Sequence, residues 1–255
     1  MLRGVQARRL SALTAVARHV GTATLAGIVA GILVGGLLGR LVMRVAGFTA
    51  GPGMVGAFTA NGNRVGDITL QGTAMIIVFV GLAAGLAGGV VYAVVEPWLR
   101  RLRPWHGLAY GGASLAAFGF AVLDPANLDF QRFGSAPLNV AMFAALFLLF
   151  GIALAWLFDR LRQAIAGDGL TARALEVLAF VSLVPSGIAI VFVLMSLTAL
   201  AEPLLPVVFV LGLVVATVAR WRDLPALVGY TALVAPIVLG AARTIGAVPR
   251  ILAGF

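Results

Sequence analysis

The sequence contains no cysteine and no lysine, and only nine acidic residues and two histidines occur among its 255 residues. The absence of cysteine excludes disulfides, thiolate nucleophiles and cysteine-ligated metals. The sequence also has no Ser-His-Asp set, zinc-binding pattern or Walker phosphate loop. We therefore expect no enzymatic activity, no bound metal and no cofactor.

Charged residues are scarce as well, at 11%, whereas hydrophobic residues make up 62% and the mean hydropathy is +1.09. Soluble domains are roughly 45–50% apolar, and about 18 consecutive apolar residues are enough to cross a bilayer. We therefore expect an all-α integral membrane protein with about seven transmembrane helices. The apolar run at residues 20–39 is too long for the core of a signal peptide, so we expect it to remain as an anchor.

The predicted spans are residues 21–46, 73–95, 105–123, 137–158, 174–200, 204–220 and 225–242. The last span is short and contains Pro236, so six spans plus a re-entrant segment is the alternative. Ahead of the first span, apolar residues recur at helical spacing among arginines, at Leu2, Val5, Leu10, Leu13 and Val16. We divide the chain into a basic interfacial leader helix, residues 1–20, and a single polytopic membrane domain, residues 21–255.

All 18 basic residues are arginines, which indicates a GC-rich coding sequence. If the N-terminus is cytoplasmic, twelve of them lie on the inner side, as arginine-rich cytoplasmic loops require. We expect a bacterial plasma (inner) membrane protein whose partners are membrane lipids, including anionic lipids at the inner face. The arginines are spread over many short loops and form no single stripe, so we expect no nucleic-acid binding.

Two outer loops carry turn signals. The first, residues 47–72, contains Asn61-Gly62 between β-tolerant residues, which predicts a small β-hairpin between helices 1 and 2. The second contains Asp124 and Asp129, two carboxylates near Asn127. Because Asp-Pro followed by Asn is a common turn arrangement, we interpret this cluster as structural and not as an acid-base or metal site.

The most specific motif is a glycine stripe, or glycine zipper. It repeats every fourth residue in the first span and recurs in the second: Gly27, Gly31, Gly35 and Gly39, then Gly81, Gly85 and Gly89. Lipid offers no hydrophobic driving force between helices, so small residues that let backbones approach mark packing faces. The stripe predicts packing of the first span on the second, or self-association of protomers as a homo-oligomer or with a membrane-complex partner.

Two further features are candidates for ligand contact. Arg40 and Arg44 follow the stripe one turn apart, and we consider both snorkelling to outer headgroups and an anion or lipid-headgroup clamp. Pro185, Ser186 and Gly187 lie within the fifth span, where we consider both an ordinary proline kink and a helix break that would line a cavity.

The remaining titratable residues fall near predicted helix ends. We expect His19 and His106 at the inner membrane boundary, where they face the interface, and Glu176 beside Arg173 or the N-terminus of its own helix. No acidic residue falls at mid-membrane, where ion-coupled transporters usually keep one.

Two functions fit these patterns best, and a third, a membrane-embedded enzyme that acts on lipid through Asp124 and Asp129, fits them less well. The first is a non-catalytic scaffold or subunit of a larger envelope complex that packs through its glycine-rich faces. The alternative is a permease or facilitator for a lipid-like or weakly polar, anionic solute that enters past Arg40 and Arg44. A cavity at those arginines and Ser186 would favour transport, whereas a closed bundle with an exposed glycine face would favour assembly.

Overall fold

The computed structural model describes residues 2–54, 56–58, 69–127, 129, 133–200, 204–222 and 225–253. These residues form helices joined by short connections, and they form no strand. The helices are as follows: α1, Leu2–Ala30 continued by π-helical Gly31–Leu38 and by Gly39–Thr49; α2, Leu70–Met75 continued by π-helical Ile76–Leu82 and by Ala83–Leu99; α3, His106–Phe118; α4, Ala136–Ile165; α5, Leu170–Leu200; α6, Leu204–Trp221; α7, Ala226–Ala253. Short 3₁₀ turns lie at Pro52–Met54, Arg100–Leu102 and Gly119–Ala121.

The all-helical membrane class predicted from composition is confirmed, because five helices are long and apolar enough to cross a bilayer. They are Leu10–Thr49, Leu70–Leu102, Ala136–Ile165, Leu170–Ser196 and Leu227–Ala253. The other two helices, α3 and α6, are shorter. The count of seven spans therefore stays a prediction. The predicted hairpin around Asn61-Gly62 lies outside the described residues.

Two of the predicted boundaries take a different form in the structure. Helix α1 runs without a break from Leu2 to Thr49, so the leader and the first predicted span are one helix with no boundary at residue 20. The position of the leader on a membrane surface stays a prediction. Helix α7 continues through Pro236, so the segment predicted as a re-entrant alternative is one uninterrupted helix.

The connections gather at two ends of the bundle. Arg18 of α1 pairs with Glu176 of α5, and Arg103 pairs with Asp159 of α4. Together with Arg101, which reaches α7, these contacts define the arginine-rich end. At the opposite end, Leu123 after α3 and Ile251 of α7 are buried in one cluster. The N-terminal half of α1 thus lies at the arginine-rich end and the C-terminal part of α7 at the other.

The core of the bundle is made of small residues on α1 and larger side chains around them. Ala23, Ala26 and Ala30 are fully buried, and they share a cluster with Tyr92 of α2 and Phe158 of α4. Alanine brings neighbouring helices close to α1, which explains why α2, α4 and α5 all pack on it. This arrangement leaves α2 with one face against α1 and another face toward α3, α6 and α7.

Candidate functional site

The glycine stripes of α1 and α2 lie against each other. A Cβ built on Gly27 would overlap the carbonyl oxygen of Gly85, and one on Gly89 would lie 2.7 Å from the Cα of Thr24. A Cβ on Gly31 would overlap the carbonyl oxygen of Gly81. Backbone therefore touches backbone along this seam, and no space for a ligand remains between the two helices.

The seam ends before the last glycine of the stripe. Gly35 lies at ordinary contact distance from Gly81, whereas Gly39 faces α4, with Leu146 3.9 Å from a built Cβ. Other interfaces use glycines that do not repeat at fixed spacing: Gly107, Gly111 and Gly151 between α3 and α4, Gly212 between α6 and α7, and Gly240 between α7 and α3. Close packing through glycine is thus general in this bundle, and the sequence motif marks only its most regular instance.

Arg40 and Arg44 lie at the end of α1 away from the arginine-rich end. The guanidinium of Arg40 lies next to Gly72 at the start of α2. The guanidinium of Arg44 lies 5.1 Å from the ring centroid of the exposed Phe48. Neither arginine lines the apolar cavity between α2, α3, α6 and α7 that is described below. A headgroup clamp at this end stays a prediction.

The helix break predicted at Pro185 is absent, because α5 runs unbroken from Leu170 to Leu200. The Ser186 hydroxyl donates to the carbonyl oxygen of Ser182 at 2.6 Å. The Ser182 hydroxyl lies 3.3 Å from the carbonyl oxygen of Gly21 on α1. Both serines are buried in the contact with α1, while Gly187 is exposed. Local hydrogen bonds to the backbone thus support the helix at this point, and the segment does not line the apolar cavity described below.

An apolar cavity of about 420 Å³ lies on the other face of α2, between that helix and α3, α6 and α7. Ligand pockets in proteins commonly measure about 300–1,000 Å³. Most of its walls are aliphatic side chains, contributed by residues such as Val91, Val95, Leu213, Leu233, Val234 and Ile237. The space exists because α2 packs tightly on α1 and meets α3 and α6 at few positions.

Aromatic side chains border the cavity at two levels. Phe118 of α3 and Phe209 of α6 meet edge to face, with ring centroids 4.9 Å apart, toward the middle of the bundle. Toward the arginine-rich end, Trp98 of α2 lies against Gly229 of α7, where a built Cβ would be 3.0 Å from the indole ring. The result is a slot with an aromatic floor and a mouth at the arginine-rich end.

The mouth carries one polar pair. Arg101 donates a hydrogen bond to the Tyr230 hydroxyl at 3.2 Å, and both side chains line the cavity. A guanidinium has five N–H donors, so this bond leaves most of them available. An apolar slot that ends in a guanidinium and a phenol matches a molecule with a hydrocarbon part and a negatively charged end.

The neighbouring arginines differ from Arg101 because carboxylates neutralise them. Arg100 donates two bonds to Glu96, at 2.9 and 2.8 Å, and Arg103 donates to both oxygens of Asp159. Among the described residues, Arg101 has no carboxylate within ion-pair distance. Arg101 therefore keeps its positive charge at the mouth of the slot.

Both histidines face the interior of the bundle, so the expectation that they face the membrane interface is wrong. The His19 ring packs edge-on against Phe158, and its Nε2 lies 3.1 Å from the carbonyl oxygen of Ala93. His106 is only 12% exposed, with its Nε2 3.7 Å from Asp159.

Glu176 is also paired differently from the prediction. Its carboxylate binds Arg18 of α1, so it ties two helices together instead of interacting within α5. Asp124 accepts a hydrogen bond from the backbone of Ala126, and Asn127 accepts one from the backbone of Asp129, as expected for a structural turn.

The sequence analysis predicted neither the slot nor the position of Arg101 at its mouth. A signal was present in the run Glu96 to Arg103, because Arg100 follows Glu96 at the four-residue spacing of an ion pair, and Arg101 does not. Comparison with protein-family models, with curated proteins and with solved structures finds no match for the chain. The geometry of the slot is therefore the main evidence on function.

Proposed function

We propose that the protein is a permease or facilitator for a lipid-like anionic solute, and that the slot between α2, α3, α6 and α7 holds the hydrocarbon part of that solute. The observation that carries the proposal is the slot itself: about 420 Å³ of apolar space that ends at Arg101 and Tyr230. Basic pockets between transmembrane helices are typical sites for anionic lipid headgroups. In this proposal Arg101 binds the anionic group and Tyr230 orients the guanidinium.

The proposed orientation of the chain in the membrane fits an anionic ligand. We place seven helices across a bacterial plasma membrane with the N-terminus in the cytoplasm, since this puts the arginine-rich end on the inner side. The inner leaflet is rich in anionic lipids, and its negative surface potential attracts arginine side chains. The mouth of the slot would then open where its ligand is most concentrated.

The proposal is tested by native mass spectrometry of the full chain extracted from membranes in a mild detergent. We expect wild-type protein to retain an anionic phospholipid, and Arg101→Ala to lose most of it. The matched control is Arg160→Ala, which removes an arginine at the same end that stacks on Trp156 and does not line the slot. Retention of the lipid by Arg101→Ala, or equal loss in both variants, would refute the site.

The second arginine pair gives a direct comparison. If the slot is the site, the double variant Arg40→Ala and Arg44→Ala should keep the bound lipid. If the lipid is lost from the double variant and retained by Arg101→Ala, the binding site lies at Arg40 and Arg44, at the end of the bundle opposite to Arg101.

Movement of the solute needs a separate assay, because binding alone does not establish transport. In vesicles that contain phosphatidylglycerol with a fluorescent headgroup label, we expect the purified chain to speed exchange of the label between leaflets. Arg101→Ala should remove that acceleration. Exchange at the rate of protein-free vesicles would refute the facilitator function and leave a lipid-binding protein.

The scaffold function remains the competing prediction. It relied on glycine faces for association, but Gly27, Gly31, Gly81 and Gly85 are occupied by contacts within the chain. A scaffold would therefore have to use another surface. Purification in mild detergent separates the two functions, since a scaffold should retain a protein partner or a second copy and a facilitator need not.

A further inference from the structure

The slot has a defined depth. Its mouth lies at Arg101, and its wall on α2 reaches back to Val91, ten residues earlier in the sequence. At the rise of an α-helix this distance is about 15 Å. The hydrocarbon core of a bilayer is about 30 Å thick and contains two leaflets of acyl chains, so one chain also extends over about 15 Å. The depth of the slot therefore matches the length of one acyl chain.

The volume of the slot leads to the same size. An apolar protein cavity of about 150 Å³ takes up benzene, which has six carbon atoms. At the same carbon content per volume, the slot of about 420 Å³ holds about 17 carbons. A phospholipid has two acyl chains of about this size, so the slot has room for one of them and the other must stay outside.

Two contacts close the deep end of the slot. The rings of Phe118 on α3 and Phe209 on α6 meet edge to face, with centroids 4.9 Å apart. The wall on α7 ends at Ile237, and a Cβ built on Gly240, about one turn further, would overlap the carbonyl oxygen of Ala117 on α3. Backbone contact between α3 and α7 thus closes one side of the floor, and the two aromatic rings close the other.

The wall between the mouth and the floor suits a hydrocarbon chain. Its polar side chains among the described residues are Tyr110 and Ser114, one turn apart on α3. The Tyr110 hydroxyl donates a hydrogen bond to the carbonyl oxygen of Gly88 at 2.7 Å, so it is satisfied within the protein. The other described residues of this wall are apolar. A ligand therefore needs polar groups only at the mouth.

We infer that the slot takes a single acyl chain of an anionic lipid and that Phe118 and Phe209 set the longest chain that fits, an inference that rests on the proposed lipid site. Arg101 binds the headgroup at the mouth, and the two rings stop the end of the chain at the floor. Both contacts form together only for chains of up to about 17 carbons. A longer chain either pulls the headgroup away from Arg101 or forces the rings apart, and overpacking of this kind lowers affinity about fivefold or more.

The chain limit is measured by native mass spectrometry of the full chain in a mild detergent. The probe is an equimolar mixture of phosphatidylglycerols, each with two identical saturated chains, that covers about 12 to 22 carbons. We expect wild-type protein to retain the lipids with chains of up to about 16–18 carbons and to retain the longer ones about fivefold less.

Variants of the two rings test the floor. Phe118→Ala and Phe209→Ala each remove a phenyl ring, so each should shift the limit to chains about two to four carbons longer. Phe118→Trp enlarges the floor and should shift the limit to shorter chains. The matched control is Phe79→Ala, because Phe79 is an exposed residue of α2 that does not line the slot, and this variant should keep the wild-type limit.

A lipid with one chain tests how many chains the slot holds. Lysophosphatidylglycerol with a chain within the limit should be retained within about threefold of the two-chain lipid, since only one chain is enclosed. Retention about tenfold lower or less would show that both chains are held, and it would overturn the inference.

Two further results would overturn the inference while leaving the lipid site in place. One is retention that does not depend on chain length over this range. The other is a limit that stays the same in all folded variants of Phe118 and Phe209. If wild-type protein retains no phosphatidylglycerol of any length, or Arg101→Ala retains these lipids as wild type does, the proposed lipid site itself is refuted.

Discussion

The two faces of α2 differ in side-chain size, and this difference decides whether a neighbouring helix packs in close contact or leaves a cavity. On one face, Gly81, Gly85 and Gly89 let the backbone of α1 approach to contact distance. On the other, Val91, Val95 and Trp98 hold α3, α6 and α7 away and border an open slot. In lipid the hydrophobic effect does not drive helices together. A gap between helices that carry large side chains can therefore stay open in a membrane protein.

The largest loss of stability is expected when a large side chain is placed in the glycine contact between α1 and α2. Gly27→Leu places a side chain where the carbonyl group of Gly85 lies, so we expect a cost above about 5 kcal/mol and loss of folded protein. Size-exclusion chromatography in detergent measures the folded yield. Gly187→Leu is the control, because a Cβ there meets no atom within 4 Å and the yield should stay at the wild-type level.

The next largest loss of stability is expected at the buried carboxylate of Glu96, near the C-terminal end of α2. Arg100→Ala should cost about 3 kcal/mol, because it leaves the Glu96 carboxylate, 1% exposed, without its cation. Glu96→Gln should cost about 1–2 kcal/mol, since the half-exposed Arg100 can turn to water. Thermal unfolding followed by tryptophan fluorescence measures the stability of both variants. A larger loss for Glu96→Gln than for Arg100→Ala would show that Glu96 is not buried.

A large side chain placed in the slot should leave the protein folded, unlike one placed in the glycine contact between α1 and α2. Ala113→Phe adds a ring to the wall of the slot, so we expect stability to change by less than about 1 kcal/mol while the bound lipid is lost. Native mass spectrometry and thermal unfolding of the same sample measure both quantities. A variant that unfolds like Gly27→Leu would mean that the slot is closed in the membrane.

The smallest effect is expected from truncating a side chain at the slot. Val234 is 50% exposed, and Val234→Ala should cost less than about 1 kcal/mol because few packed contacts are lost. Leu154→Ala, at a fully buried position of α4, should cost about 2–5 kcal/mol in the same unfolding assay. Equal costs would contradict the contrast between a packed core and an open slot.

The sequence predicts the helices well because apolar length and glycine spacing are local properties. The fourth predicted span, 137–158, lies within Ala136–Ile165, and the sixth, 204–220, agrees with Leu204–Trp221 almost to the residue. The direction of each helix follows from chain connectivity. The predicted packing of the first span on the second matches where the structure places Gly27 and Gly85, although the repeat alone left self-association open.

The site could not be predicted in the same way, because it depends on which helices fail to touch. Arg101 and Tyr230 are 129 residues apart, and no local pattern relates them. The inward turn of His19 and His106 likewise depends on neighbours, since each histidine contacts a residue of another helix. The same holds for Pro185, where the sequence allows either a kink or a break, because proline near mid-helix is tolerated where serines bond to the backbone.

The most direct test of the account is a cryo-electron microscopy structure of the chain in nanodiscs that contain phosphatidylglycerol. We predict density for an acyl chain between α2, α3, α6 and α7, with the phosphate within hydrogen-bond distance of Arg101. An empty or collapsed slot, with Arg101 paired to a carboxylate of the chain, would contradict the claim that this cavity holds an anionic lipid.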